Sequence, residues 1–287
     1  MPRVSKPSKG GQEGEWLIPR LREPRYSQSL ERGLGILGAF TPERPVLGIA
    51  DLADELGMSR STTHRYVITL VALGFLEQNA SRKYRLGLRV TDLGMAVLNS
   101  TGLRGHGRPL LDELRQRTGY TVSIAVLDGA EIVYVERARS SKRGQTKIDL
   151  NLRLGSRLPA YCTALGKVLL AYLPESERRE LIDSLQLKRR GPNSLTSRKA
   201  LRGELERVGG DGFAVNDEEL VDGLYSMAVP IRDHSNEVVA AVNIAVPASM
   251  ISLEELVDAL GPHLVVTGDQ ISARLGYRRT DEQAHHV

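Results

Sequence analysis

The chain has 287 residues, enough for two domains, and its 41% hydrophobic and 26% charged content is ordinary for a globular protein. A single cysteine, Cys162, excludes an intrachain disulfide and a multi-cysteine zinc site, and it favours a reducing cytoplasm. The net charge is +4, but residues 1–90 hold 14 Lys and Arg against 9 Asp and Glu, whereas residues 91–287 hold 25 against 26. This asymmetry is typical of a nucleic-acid-binding module joined to a neutral domain.

The two ends of the chain are predicted to be unstructured. Residues 1–25 are rich in Pro, Gly, Lys, Arg and Glu, and we interpret them as a mobile basic arm. Arg20, Arg22 and Arg25 are candidates for contacts with a phosphate backbone, against the simpler interpretation of a disordered tail. A second disordered tail is predicted at 277–287. The longest apolar runs have the length of strands, so no signal peptide and no transmembrane span is predicted.

Residues 26–88 are predicted to form a winged helix-turn-helix. A first helix begins at Ser27, and a short strand is expected at 46–48. Between Gly48 and Leu86 the pattern is helix, sharp turn at Gly57, second helix and β-hairpin, because Gly tolerates the left-handed position after a helix. The second helix should begin at Ser59, whose hydroxyl can cap the free N–H groups.

The start of this second helix and the hairpin, or wing, carry the groups that bind DNA. Hydroxyl, imidazole and guanidinium groups hydrogen-bond base edges and phosphates in a major groove. The predicted readers on the helix are Ser59, Arg60, Ser61, Thr62, His64 and Arg65, and those on the wing are Arg82, Lys83 and Arg85. The alternative is that these charged residues only solvate an exposed surface.

The remaining chain is predicted to contain a linker and an α+β domain. Helices at 86–100 and 110–118, separated by a break at Gly102–Pro109, form linker helices within 89–118. From 119 to 276 strand pairs mix with helices without a regular βαβ alternation, which favours an antiparallel sheet. A third strand is expected at Ile148–Leu152, and a continuous helix is expected from Pro159 to Leu173.

The chain resembles the IclR family of bacterial transcription regulators over about residues 26–275. The motifs that carry the resemblance are SQSLERGLGILGAF, IADLADELGMSRSTTHRYVITLVALGFLEQNASRKYRLGLRV, RLPAYCTALGKVLLA, GFAVNDEELVDGLYSMAVPIRD and VVAAVNIAVPA. The resemblance implies a winged helix-turn-helix, a helical linker used in dimerisation, and a GAF-like effector domain that binds a small organic molecule. It also implies a cytoplasmic homodimer, or a homotetramer, on a pseudopalindromic double-stranded DNA operator, with RNA polymerase as a candidate further partner. No membrane partner, cofactor, metal or catalytic residue is expected.

The RLPAYCTALGKVLLA segment resembles the family branch that regulates aromatic-acid catabolism, with protocatechuate, 4-hydroxybenzoate or β-ketoadipate as effectors. The effector-binding positions implied by the resemblance are Ala164, Leu165, Asn216, Ser226, Asn243 and Ala245. Because relatives with small-acid ligands carry an Asp in this set, the neutral set here favours an anionic ligand. Tyr161 and Tyr225 are further candidates to line the pocket, although each is also typical of a core wall.

Two other function classes stay open on the sequence alone. In a cytosolic enzyme, Cys162 would be a nucleophile in the first turn of a helix, with His106, His234 or His263 as partner. A lone cysteine is more often a buried small apolar residue, and Gly166-Lys167 lacks the other residues of a phosphate loop. In the second class, the winged helix contacts protein or RNA instead of DNA.

Overall fold

A computed structural model of the protein describes residues 26–100, 102–140 and 152–278, without the side chains of residues 97–100. The predicted arm at 1–25, most of the predicted tail and the strand predicted at 148–152, apart from Leu152, lie outside the described residues. The chain divides into two compact units between Val97 and Leu98. Within the described ranges, no helix has both the length and the apolar character that a bilayer-spanning segment needs.

The first unit is the predicted winged helix-turn-helix. Its elements are α1 (Gln28–Gly38), α2 (Ile49–Glu55), α3 (Arg60–Ala72), β1 (Leu76–Gln78) and β2 (Tyr84–Leu86), followed by α4 (Arg89–Ser100). The hairpin is antiparallel, and Leu47 pairs with Tyr84 beside it in a single β-bridge, which is what the structure forms of the short strand predicted at 46–48. Gly57 adopts a φ of 62° at the turn between α2 and α3, as the sequence pattern requires.

Apolar residues from every element of this unit except α4 meet in one core. Ile36, Leu52 and Val67 are completely buried, one from each helix, and Leu76 and Tyr84 close the core from the hairpin. The helical spacing of these positions places them on inward faces, so the charged start of α3 is left on the surface.

The second unit contains a six-stranded sheet with helices on both faces. Its elements are α5 (Leu103–Thr118), β3 (Thr121–Asp128), β4 (Glu131–Ala138), β5 (Arg157–Pro159), a 3₁₀ turn (Ala160–Cys162), α6 (Ala164–Ala171), α7 (Glu175–Ser184), α8 (Arg198–Asp211), β6 (Ala214–Asp217), β7 (Leu224–Arg232), β8 (Val238–Pro247), α9 (Leu253–Glu255), a π turn (Leu256–Leu260) and α10 (Gly261–Arg274). The strand order is β5-β4-β3-β8-β7-β6, and every pairing is antiparallel. The predicted α+β class with an antiparallel sheet is therefore confirmed.

Each face of the sheet has its own apolar core. Helices α6, α7 and α8 cover one face, where Ala125, Ala228 and Ala241 provide small side chains that let α6 approach the strands. Helices α5 and α10 cover the opposite face, where Val122 and Val242 belong to a branched aliphatic core. Two covered faces explain why β8 has an almost continuous apolar sequence rather than an alternating one.

Two predicted helix boundaries were wrong. The chain does not break between Gly102 and Pro109: α5 begins at Leu103 and continues through Pro109, because its buried leucines hold it against the sheet. The second predicted linker helix thus packs within the larger unit. The predicted continuous helix from Pro159 to Leu173 is also interrupted, since Thr163 is extended (φ −128°, ψ 143°) between the 3₁₀ turn and α6.

Candidate nucleic-acid interface and ligand pocket

The start of α3 is held by a hydroxyl cap. The Ser59 Oγ accepts a hydrogen bond from the Thr62 N–H at 3.2 Å and donates to the Thr62 Oγ1 at 2.8 Å. The buried Thr63 donates its hydroxyl to the Ser59 carbonyl oxygen. The hydroxyls of Ser59 and Thr62, both predicted readers, therefore already bond each other, and their first role is to fix where the helix begins.

The other predicted readers on α3 point away from the core. Arg60, Ser61, His64 and Arg65 are all exposed. The Arg65 guanidinium lies 5.9 Å from the centre of the Tyr66 ring, a contact that restrains the side chain without neutralising it. The structure thus gathers three cationic or ionisable side chains and a hydroxyl on the exposed side of one helix.

The wing holds its three basic residues in different situations. Its turn is built by the Asn79 Oδ1, which accepts the N–H groups of Ser81 and Lys83 at 3.0 Å. Arg82 stands at the tip with a φ of 60°, and both it and Lys83 are exposed. Arg85 differs, because its Nε and Nη2 both donate to the Oε2 of Glu77 on the facing strand, at 3.0 and 2.7 Å.

A pocket of about 500 Å³, including space open to solvent, lies in the second unit between the sheet and the start of α6. The predicted positions that line it are Ala164, Leu165, Asn216, Ser226, Asn243 and Ala245; the others are Ser123, Tyr134, Arg137, Leu152, Thr163, Leu220 and Leu224. On the sheet side six lining positions, five of them polar, form two cross-strand rows. One row is Arg137, Ser123 and Asn243, and the next is Ala245, Ser226 and Asn216.

The start of α6 forms the opposite wall of the pocket. The Thr163 hydroxyl accepts the Gly166 N–H at 3.0 Å and so caps the helix. Ala164 and Leu165, the first two helical residues, line the pocket, and their N–H groups have no carbonyl partner within the helix. Because the helix dipole adds positive potential at this end, the wall favours a negatively charged ligand group.

A β-bulge brings Tyr134 and Arg137 into the pocket together. Ala125 pairs with Tyr134 while Ile124 pairs with Glu136, so Val135 is an additional residue in β4. With regular alternation, positions 134 and 137 would face opposite sides of the sheet. The bulge instead places the Arg137 guanidinium 5.6 Å from the centre of the Tyr134 ring. Burial lowers the pKa of Arg137 and raises that of the Tyr134 hydroxyl to about 12.

Several buried polar atoms in this pocket have no hydrogen-bond partner within the described chain. They are the Arg137 Nε, the Asn216 Oδ1 and the Asn243 Oδ1. The Asn216 amide is held in place from its other end, because its Nδ2 donates to the Cys162 carbonyl oxygen at 2.6 Å. Buried polar groups are rarely left unpaired in proteins, and three of the four such atoms among the described residues lie at this pocket, which makes it the candidate ligand site.

The two tyrosines proposed as pocket residues do not line it. Tyr161 is buried in the core on the α6 side, and its hydroxyl donates to the Lys188 carbonyl oxygen at 2.6 Å. Tyr225 packs against the opposite core, because neighbouring positions of β7 face opposite sides of the sheet and Ser226 faces the pocket. Tyr161 is therefore a core residue, and Tyr225 is a partly buried residue at the edge of the opposite core.

Cys162 lacks the properties of a nucleophile. It lies in the 3₁₀ turn rather than in the first turn of a helix, and it is fully buried. Burial raises the pKa of its thiol to about 12, so the thiolate is not formed at neutral pH. Among the described residues, no group of three or more His, Cys, Asp or Glu is arranged to hold a metal ion.

Behind the pocket, Lys167 is buried in a network of ion pairs. Its Nζ donates to the Glu204 Oε1 at 3.0 Å, to the Val215 carbonyl oxygen at 2.5 Å and to the carboxylate of Glu219, which is itself buried. The network joins α6, α8, β6 and the loop that follows β6. Lys167 therefore has a structural role, and the resemblance of Gly166-Lys167 to a phosphate loop is without function.

Two family profiles match the chain over most of its length. The IclR helix-turn-helix domain matches residues 29–80, and the bacterial transcriptional regulator IclR C-terminal domain matches residues 95–273. The two matches follow the two units of the structure, and the second includes every described residue that lines the pocket.

Relatives of known name match nearly the whole chain. The HTH-type transcriptional regulator XynR of Escherichia coli (strain K12) is 36% identical over 87% of this chain and 98% of its own length. The Pca regulon regulatory protein of Pseudomonas putida is 33% identical over 88% and 86%. A crystal structure of a homologue from Microbacterium hydrocarbonoxydans, complexed with 4-hydroxybenzoate, aligns with a TM-score of 0.76 at 26% identity over 86% and 98%. These relatives are regulators, which confirms the non-enzymatic class.

Proposed function

The chain belongs to the IclR family of DNA-binding transcriptional regulators, and from that premise we propose which residues read DNA and which class of effector the pocket binds. A homodimer presents two copies of α3 to successive major grooves of a pseudopalindromic operator. A small organic acid enters the pocket and changes the affinity for that operator. The observation that carries the proposal is the pocket itself, where unpaired polar atoms meet the start of a helix.

Exposure and pairing divide the predicted DNA readers into three groups. Arg60, His64 and Arg65 are exposed and can reach base edges, as can Ser61, whose hydroxyl also lies 3.3 Å from the Ser59 hydroxyl, and the exposed Arg82 and Lys83 can reach phosphates. Ser59 and Thr62 position the helix through their mutual hydrogen bond. Arg85 contributes less than its charge suggests, because Glu77 already binds it.

Comparison of Arg65→Ala with Arg82→Ala tests this division. Loss of a base contact should weaken operator binding by about 5- to 100-fold and relax sequence preference, since such contacts are worth about 1–3 kcal/mol. Loss of a phosphate contact should weaken binding to all duplexes about equally, and it should reduce the slope of log affinity against log salt concentration by about one. Fluorescence anisotropy with operator and random duplexes at several salt concentrations measures both effects. A reversed pattern would remove Arg65 from the reading surface, and affinity independent of salt would argue against DNA as the partner.

Two features of the pocket favour an aromatic or dicarboxylic acid as effector. Its polar rows and the start of α6 provide hydrogen-bond donors, while Leu152, Leu165, Leu220 and Leu224 provide an apolar lining. Named relatives also regulate the Pca regulon or bind 4-hydroxybenzoate. The effector changes DNA affinity only by its preference for one arrangement of the dimer, and α4 is the helix that crosses the boundary between the two units.

A thermal-shift screen with aromatic and dicarboxylic acids tests the effector class, because a ligand of the native state raises the melting temperature by mass action. Ala245→Leu narrows the pocket from the strand side and should abolish the shift. Ala248→Leu, which lies just beyond β8, is the matched control. An equal shift in both variants would place the effector elsewhere.

Exposed apolar side chains support the homodimer. Leu30 and Leu34 on α1 are 63% and 58% exposed, and Leu93 on α4 is 58% exposed. Monomeric proteins rarely keep such residues together on a surface, so a second copy of the chain is the expected cover. The proposal includes a cytoplasmic location, with tetramers and contact with RNA polymerase as possible further levels of assembly. Light scattering of Leu34→Glu should detect loss of the dimer.

A further inference from the structure

Arg137 is the one charged side chain among the described residues that line the pocket. Its Nε is buried and has no hydrogen-bond partner in the described part of the chain, and its contact with the Tyr134 ring satisfies no N–H group. A guanidinium carries five N–H donors in a planar fork that matches a carboxylate. Arg137 as a residue is half-buried, with its Nε shielded from solvent. Withdrawal of a charge from water is costly unless the charge is paired, so this position favours an anionic partner.

The carboxylate adjacent to Arg137 in the sequence cannot supply that partner. Glu136 precedes Arg137, but its side chain points to the opposite face of the sheet, where it is 1% exposed. There its two oxygens accept hydrogen bonds from the Arg104 Nε at 3.0 Å and the Arg108 guanidinium at 2.9 Å, both on α5. The charge of Glu136 is thus already compensated by α5.

We infer that Arg137 binds the carboxylate of the effector and thereby makes the pocket selective for an organic anion with a planar body. This inference rests on the proposed function of the pocket. Ser123 and Asn243 stand beside Arg137 in the same cross-strand row and add a hydroxyl and an amide for the carboxylate. The Tyr134 ring holds the guanidinium from one side, and the leucines of the lining accept the apolar body of the ligand.

Matched acid and amide ligands separate this charge recognition from simple filling of the pocket. The probes are 4-hydroxybenzoate and benzoate with their amides, and succinate with its diamide, each titrated by calorimetry into the full-length protein. Arg137→Met removes the charge at similar volume, and Arg137→Lys restores a charge without the fork. Arg232→Met is the control, because Arg232, at the end of β7 in the same sheet, also stacks on a tyrosine but does not line the pocket; its guanidinium lies 4.7 Å from the ring of Tyr172, which follows α6.

The wild type should bind an acid more tightly than its amide, and Arg137→Met should bind that acid about 10- to 100-fold more weakly, since a hydrogen bond to a charged group is worth about 1.5–3 kcal/mol. The affinity of Arg137→Met for the amide should stay within about threefold of the wild-type value. The acid affinity of Arg137→Lys should lie between those of the wild type and Arg137→Met, and that of Arg232→Met should equal the wild-type value. If Arg137→Met keeps the wild-type affinity for the acid while Ala245→Leu abolishes it, the pocket stands and the role of Arg137 is overturned. If Ala245→Leu also binds normally, or no acid binds the wild type, the proposed function itself fails.

Discussion

Two cations withdrawn from water, Lys167 within α6 and the half-buried Arg137 in the pocket that the start of α6 lines, differ in what pairs with them. Lys167 is surrounded by Glu204, Glu219 and a backbone carbonyl, so its charge is fully used within the fold. Arg137 faces the pocket with an aromatic ring beside it, and none of the described residues provides an anion for it. The cost of withdrawing a cation from water is therefore compensated by carboxylates of the chain at Lys167, whereas at Arg137 no described carboxylate compensates it.

This difference indicates which charges are structural and which belong to a ligand. A cation whose partners come from several elements ties those elements together, and its loss leaves a buried carboxylate uncompensated. A cation without a partner lowers the stability of the ligand-free protein, because its charge is withdrawn from water without compensation. Binding of an anion compensates the charge and restores that stability. Removal of the Lys167 charge should therefore lower the free energy of unfolding, whereas removal of the Arg137 charge should leave it nearly unchanged or raise it slightly.

The largest effect is expected from Lys167→Met, which leaves Glu219 buried without its cation. We expect a loss of about 3–5 kcal/mol in the free energy of unfolding, measured by urea denaturation. Burial already raises the pKa of Glu219, so the variant should also become relatively more stable as the pH is lowered and that carboxylate is protonated.

Two further variants check this interpretation of the Lys167 network. The double variant Lys167→Met with Glu219→Gln should recover part of the loss, because the uncompensated charge is gone. Arg202→Met removes an exposed ion pair with Asp183 and should cost less than about 1 kcal/mol. A single Lys167→Met variant as stable as the wild type would contradict the structural role of this network.

A smaller loss is expected from Gly166→Ala, at the point where the pocket wall and the Lys167 network share α6. A Cβ there would lie 2.2 Å from the Ala160 carbonyl oxygen, so the helix or the 3₁₀ turn must move. We expect a loss of about 1–3 kcal/mol together with weaker acid binding, because Ala164 and Leu165 move with the helix. In Gly203→Ala, within α8, the new Cβ meets nothing within 4 Å and should raise stability by about 0.5–1 kcal/mol. If Gly166→Ala and Gly203→Ala had the same effect on acid binding and on the free energy of unfolding, the close approach of residue 166 to the Ala160 carbonyl oxygen would be contradicted.

The smallest stability effect is expected from Arg137→Met without ligand. Arg137 is half-buried and has no anionic partner among the described residues, so removal of its charge should leave the free energy of unfolding within about 1 kcal/mol of wild type, in the direction of higher stability. The melting temperature of the ligand-free variant measures this directly. A loss of several degrees would mean that Arg137 supports the fold, as Lys167 does, and would remove the contrast between the two regions.

The local parts of the fold followed directly from the sequence. The cap at Ser59, the turn at Gly57 and the hairpin were predictable because their signals lie within a few residues of each other. The continuation of α5 through Pro109 was not, since tertiary packing overrode a local breaker. The break at Thr163 was missed because the apolar pattern on either side of it is uninterrupted.

The pocket was predictable only where the family resemblance supplied its positions. Asn216, Ser226 and Asn243 were found in that way, whereas Arg137 was missed because only a bulge in β4 directs it into the pocket. A bulge depends on strand pairing and has no reliable local sequence signal. One clue existed, since an arginine beside a glutamate within a predominantly apolar strand, Ile132–Ala138, is unusual for a buried segment.

The central claim, that Arg137 is the anion-binding group of the pocket, is tested most directly by NMR of the full-length protein with labelled arginine side chains. The Nε–H signal of Arg137, assigned from its absence in Arg137→Lys, should shift strongly and exchange more slowly with solvent as 4-hydroxybenzoate is added. The corresponding amide should leave it nearly unchanged. An Arg137 signal that does not respond while Asn216 and Asn243 side-chain signals do would place the carboxylate elsewhere in the pocket and contradict the account.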